Sequence, residues 1–312
     1  MSLKAIWSSN SSYSKLLLAT GIILFSAVLF TLLASVSATV IYGIGMTEMQ
    51  LLLGDFSNPR TISIFKFIQT ISAIGAFIVP ALLLAYVFDK DPKSYLSLAG
   101  NVNISSVMLS SIALLVALPF INFLGELNAH LSLPSFLAGV ENWMRDAEAN
   151  AAKLTKSFLT MNSVSDLYVN LFVIALVPAL GEELLFRGIV QRLFTDWSKS
   201  KHLAIWISAI LFSAMHMQFY GFLPRMLLGA LFGYLLVWSG SLWLPIIGHF
   251  VNNAAAVVAT YLFKEEMMSL DPDKIGTEND FIAVGASIVI TGVLLFAIYR
   301  REASKNYSAD KL

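Results

Sequence analysis

Three clusters of polar side chains interrupt otherwise apolar stretches of this chain, and their spacing suits the activation of water. The first is Gly181-Glu182-Glu183-Leu184-Leu185-Phe186-Arg187-Gly188, directly after the apolar run 171–180. The second is His216, preceded by Phe212-Ser213-Ala214-Met215, and the third is His249-Phe250-Val251-Asn252-Asn253. On a helix Glu183 and Arg187 stand at i and i+4, where a carboxylate and a cation can pair. Glu182 is rotated by about 100° from Glu183 and points elsewhere. His249 and Asn253 share a helix face, as do Phe212 and His216. The pattern implies one paired carboxylate that holds structure and one free carboxylate facing two histidines and an amide.

A carboxylate held out of water is a general base competent near neutral pH. A histidine can share the water with it. Alternatively Glu182, His216 and His249 can bind zinc, which lowers the pKa of a bound water to about 7, and a Glu/His set suits zinc or a similar borderline metal. An amide or imidazole opposite can stabilise an oxyanion, worth about 3–4 kcal/mol per donor. Each piece also has a plainer reading. A Glu-Glu-x-x-x-Arg hexad is common at the watery end of helices, and His249 with Asn253 equally suits an interhelical hydrogen-bond pair. Asn252 competes with Asn253, and Pro178, Pro224 and Pro245 read as kinks. The ordered set carries the argument.

The elements that must position these residues are membrane helices. Of 312 residues 57% are hydrophobic and 13% charged, about half the charge of a soluble domain, and the mean hydropathy is +0.74. Cysteine is absent, which removes disulfides, thiolate metal sites and cysteine nucleophiles. Acidic and basic residues balance at 20 each, so charge gives no sign of a nucleic-acid partner. Apolar stretches at 16–43, 62–88, 104–124, 164–181, 203–219, 225–239, 241–262 and 281–299 predict an all-α, polytopic membrane bundle of about eight transmembrane helices. The first is too long for a signal-peptide core and reads as a retained span. With the N-terminus inside, 12 of the 20 Lys and Arg, Arg187 among them and Arg225 not, fall on the inner side. That predicts cytoplasmic termini in a plasma (inner) membrane protein. Segment 140–158 predicts a polar or amphipathic helix on the outer face, and 264–280 a solvated acidic connector. The chain divides into 1–163, N-terminal spans with the polar helix; 164–262, the reactive core; and 263–312, connector, last span and tail.

Depth supports convergence. At about 1.5 Å per residue, Glu182 lies roughly 18 Å from a helix end near Phe194. His216 lies roughly 21 Å beyond His202, and His249 roughly 12 Å beyond Ser241.

Glu182-Glu183-Leu184-Leu185-Phe186-Arg187, Phe212-x-x-x-His216 and His249-x-x-x-Asn253 resemble the three motifs of the CAAX-protease and bacteriocin-processing family of intramembrane proteases. The resemblance covers about 164–262. It implies that Glu182 activates the water, His216 helps to hold it, His249 and Asn253 stabilise the oxyanion, and Glu183 and Arg187 order the site. It implies a peptide or protein substrate met in the lipid bilayer, CAAX-type processing being one option, by a metallo- or a glutamate-type mechanism. Two rival readings use the same residues: a scaffold that binds a partner peptide without cutting it, and a proton-coupled transporter. The second lacks the repeated halves common in transporters.

Overall fold

The computed structural model describes residues 3–45, 58–263 and 281–309, so the connector 264–280 and Lys311 lie outside the described residues. Every predicted apolar stretch is helical, and no strand occurs among the described residues. The helices are α1 (Ser12–Tyr42), α2 (Pro59–Phe88), α3 (Ile104–Val116), α4 (Leu118–Ala129), α5 (Ala138–Leu159), α6 (Val164–Ser198), α7 (Lys201–Met215), α8 (Phe222–Ser239), α9 (Trp243–Leu262) and α10 (Phe281–Ala309). Six of them, α1, α2, α6, α8, α9 and α10, are long and apolar enough to cross a membrane; the α3–α4 pair taken together makes a seventh. The stretch predicted at 203–219 is the shorter α7, ending at Met215.

Local chemistry sets the ends. Ser11, Asn58, Asn103, Ser163 and Ser200 cap helix N-termini by accepting from backbone N–H groups. Ser163 and Asp166 form a reciprocal capping box at the start of α6. The α6–α7 and α8–α9 links are the same tight turn built twice. In Ser198-Lys199-Ser200 and Ser239-Gly240-Ser241 the first hydroxyl accepts from the second serine's N–H at 3.2 Å. The central residue is left-handed, with φ of 57° at Lys199 and 66° at Gly240.

Proline acts differently by position. Pro224 and Pro245 sit in the first turns of α8 and α9, where no intrahelical N–H is needed, so they do not kink them. Pro119 accompanies a 45° bend between α3 and α4. Pro178 lies inside α6, between two π-helical segments, Leu171–Leu176 and Glu183–Val190. The hexad of the first motif therefore lies in the middle of one continuous helix of 35 residues.

Packing follows from the apolar faces. Phe88, Tyr95 and Leu96 close on Leu184–Leu193 of α6, with Phe212, Leu242 and Ile246 completing the core. Helix α1 leaves Leu24, Phe25, Val28 and Leu32 exposed, the profile of a lipid-facing span. One expectation from charge is corrected. Arg187, counted on the basic face, is only 1% exposed because Glu183 pairs with it inside the bundle. Arg225, assigned to the opposite face, lines a half-open cavity at the start of α8.

Segment 140–158 is the helix α5, and it grips the loop between α7 and α8. Trp143 meets the Phe219 ring at 5.3 Å, Arg145 lies over Tyr220 at 5.1 Å, and Glu148 accepts from the Tyr220 N–H at 3.3 Å. The hydrogen bond from Arg145 holds the Glu141 carboxyl below its ordinary range. From the membrane bundle, Asn128 of α4 grips the same loop, donating to the Phe219 carbonyl at 2.7 Å and accepting from the Leu223 N–H at 2.8 Å.

Candidate active site

Glu183 is fully buried and acts as a hub. Its Oε1 accepts from Arg187 Nη1 at 2.9 Å and from His249 Nδ1 at 2.9 Å. Arg187 also donates to the Gly229 carbonyl at 2.8 Å. Its guanidinium lies over the rings of Phe212, at 4.6 Å, and Phe232, at 5.5 Å. Phe232 stacks on the His249 ring at 5.0 Å and 12°. The imidazole is thus fixed by a carboxylate at one nitrogen and an aromatic face alongside.

The neighbouring Glu182 faces another way. Its Oε2 lies 3.9 Å from His249 Nε2, longer than a hydrogen bond, and the carboxylate opens into a cavity of about 440 Å³. His216 lines the same space at the C-terminal end of α7, a correction to its placement within a span: Met217 turns left-handed there, at φ 53°, and ends the helix. His216 Nδ1 lies 2.8 Å from the Phe212 carbonyl. A carbonyl has no proton to give, so Nδ1 donates and Nε2 is free to accept.

Asn252 and Asn253 line the same cavity as Glu182. Pro178 has no N–H to offer the Ile174 carbonyl one turn earlier, and Asn253 Nδ2 donates to that oxygen at 3.2 Å. Asn252 Nδ2 donates in turn to Asn253 Oδ1 at 3.2 Å. Asn253 therefore does serve as an interhelical donor, a bond that leaves one of its amide protons uncommitted.

Glu182, His216, His249, Asn252 and Asn253 thus share one cavity, while Glu183 and Arg187 brace it from behind. Sequence reasoning missed Gln69 of α2 and Arg225 of α8, which line it as well. For Arg225 a signal existed, an arginine in the first turn of an apolar helix. Gln69 gave none beyond being polar within a span.

The donor set bears on zinc. Among the described residues no three His, Asp or Glu side chains are grouped so as to hold a metal ion. His249 gives Nδ1 to Glu183, an orientation common in metal-ligating histidines, and its Nε2 stands 3.9 Å from Glu182.

Residues 164–255 match the family model described as type II CAAX prenyl endopeptidase Rce1-like. Over 89 residues the chain is 27% identical to a protein of Bacillus subtilis (strain 168) named Uncharacterized protein YpbD. The match covers 27% of this chain and 42% of that protein, so the chain spans less than half the length of that relative. No solved structure matches. The likeness to the CAAX-protease and bacteriocin-processing family read from the three motifs therefore holds for residues 164–255, an Rce1-like segment that carries all three.

Proposed function

We propose that this protein is an intramembrane endopeptidase that hydrolyses a bond in a membrane-associated peptide or protein, with Glu182 as the base. The observation that carries the reading is the division of labour between adjacent glutamates. Glu183 is engaged through Oε1 by Arg187 and His249, whereas Glu182 opens into a cavity shared with two histidines and two amides. Glu182 takes a proton from a water whose other hydrogen bonds to His216 Nε2. The hydroxide attacks the peptide carbonyl. The oxyanion meets the Nε2–H of a doubly protonated His249, whose Nδ1–H stays on Glu183, and the free amide proton of Asn253. Glu182 then passes its proton to the departing amine, and the C–N bond breaks.

The basic end, with Lys15, Lys90, Lys93 and Arg192, is assigned to the cytoplasm of the cell membrane. CAAX-type tails are the first substrates to try. The test is cleavage of a fluorogenic peptide library, prenylated CAAX peptides included, by purified protein and its Glu182→Gln variant. Loss of a general base lowers turnover roughly 10²–10⁴-fold. Wild-type turnover by Glu182→Gln refutes the mechanism. A peptide bound but never cut points instead to the scaffold. Insensitivity to a zinc chelator is the expected result; loss of activity on chelation would restore the metal reading.

A further inference from the structure

We propose that Arg225 forms an anion subsite of this cavity and takes a carboxylate of the bound peptide. The inference rests on the peptidase reading for its substrate class, and on separate geometry for the site. Arg225 lies in the first turn of α8, half-buried, on the wall shared with Glu182 and His216. Its head group is held in place: Nη1 donates to the Gln218 carbonyl at 3.2 Å and Nη2 to Gln218 Oε1 at 2.9 Å. A Cβ at Gly221 would come within 2.9 Å of Nη2, so glycine there leaves room for the guanidinium.

No carboxylate lies within the 4.0 Å ion-pair distance of Arg225 among the described residues. A guanidinium has five N–H donors in a planar fork. Gln218 takes two, and the rest are available to a ligand. An arginine near the end of a membrane helix ordinarily snorkels to the interface; this one is held by Gln218 on the wall it shares with Glu182. The carboxylates whose charges reach Arg225 are Glu148 and Glu182, and neither is close enough to pair with it. A planar, bidentate anion satisfies it, and a peptide brings one as its C-terminal carboxylate or as an Asp or Glu side chain near the scissile bond. A rival role, offsetting the charge of Glu182 across the cavity, would slow all peptides alike.

The test uses the full-length protein in detergent and two matched peptide pairs. One pair ends in a free acid or a carboxamide, and the other carries Glu or Gln beside the scissile bond. The readout is the acid-to-neutral ratio of kcat/KM within each preparation, which does not depend on the folded fraction. In the wild type one pair shows a ratio of roughly ten to a hundred, the range of a charge-assisted hydrogen bond. Which pair responds identifies the source of the carboxylate. Arg225→Gln brings that ratio to about one, and Arg225→Lys gives an intermediate value. Ratios near one in the wild type, or unchanged in Arg225→Gln, overturn the subsite. Binding of the same pairs to the Glu182→Gln protein, measured by fluorescence anisotropy, separates the two readings. An acid preference there that Arg225→Gln abolishes sustains the subsite even without turnover, in which case only the peptidase reading falls. Absence of any such preference in binding and in cleavage overturns it.

Discussion

Arg187→Met, Glu183→Gln and the double variant test whether the hub is held together by charge compensation. Arg187 is 1% exposed and Glu183 0%. Removing the arginine leaves a carboxylate with no route to water, and breaking a buried pair on one side costs about 3–5 kcal/mol. Arg187→Met also strips the Gly229 carbonyl of its donor, about 1 kcal/mol more. Glu183→Gln leaves a buried guanidinium but keeps an amide oxygen for Arg187 and His249, so its loss falls near the lower end, about 3 kcal/mol. The double variant removes both charges and keeps similar volume. Its expected loss is about 2 kcal/mol, from the Gly229 bond and the stacking on Phe212 and Phe232. The coupling between the sites is then at least about 5 kcal/mol, far above the ~0.5 kcal/mol of independent positions. The assay is reversible unfolding in mixed micelles with rising SDS, followed by the loss of helical circular dichroism. A double variant that loses the sum of the two single losses refutes charge compensation.

Two further outcomes follow from the packing. A Cβ on Gly75 would stand 2.0 Å from Phe30 Cβ, a near-backbone atom that cannot swing aside, so Gly75→Ala should destabilise the protein by about 1–3 kcal/mol in the same assay. Gly21→Ala meets nothing within 4 Å and should be neutral or slightly stabilising; equal effects at the two positions would contradict the close packing of α1 on α2. Asn128→Ala removes both bonds that pin the turn Phe219–Gly221 and the start of α8, at about 0.5–1.5 kcal/mol each. Deuterium uptake across 217–223 should rise with little change in α9, and unchanged uptake there would show that α5 alone holds the loop.

What the sequence disclosed, and what it withheld, divides by the range of the physics. Helix-forming stretches were legible because lipid leaves a continuous apolar run no other way to satisfy its backbone. The Glu183–Arg187 pair was legible because i,i+4 geometry is local. The end of α7 was not, since a left-handed Met217 and a capping contact from His216 carry no hydropathy signal. Charge counting misplaced Arg187 for a related reason. It assumes that a cation near a helix end faces water, whereas Arg187 lies within a continuous 35-residue helix and donates to the Gly229 carbonyl of another helix. Asn253 illustrates a middle case. Its spacing from His249 placed it on the right face, but its bond to Ile174 depends on Pro178 of another helix, a pairing that no local pattern contains.

The two adjacent glutamates also explain how so much charge resides inside an apolar bundle. Each ionised group within a span costs about 3 kcal/mol even on a lenient scale, so isolated charges would weaken the protein. Here the second glutamate binds the arginine and one nitrogen of His249, and aromatic faces of Phe212 and Phe232 cover the arginine. That braces the hub and fixes the imidazole. The carboxylate left outside it is Glu182, at the edge of a cavity large enough for several waters or a peptide segment. A site with both carboxylates paired would be inert, and one with neither paired would resist burial. The arrangement meets both demands by placing the open and the ion-paired carboxylate on consecutive residues, one in the last turn of ordinary helix and the other at the start of the π-helical segment Glu183–Val190.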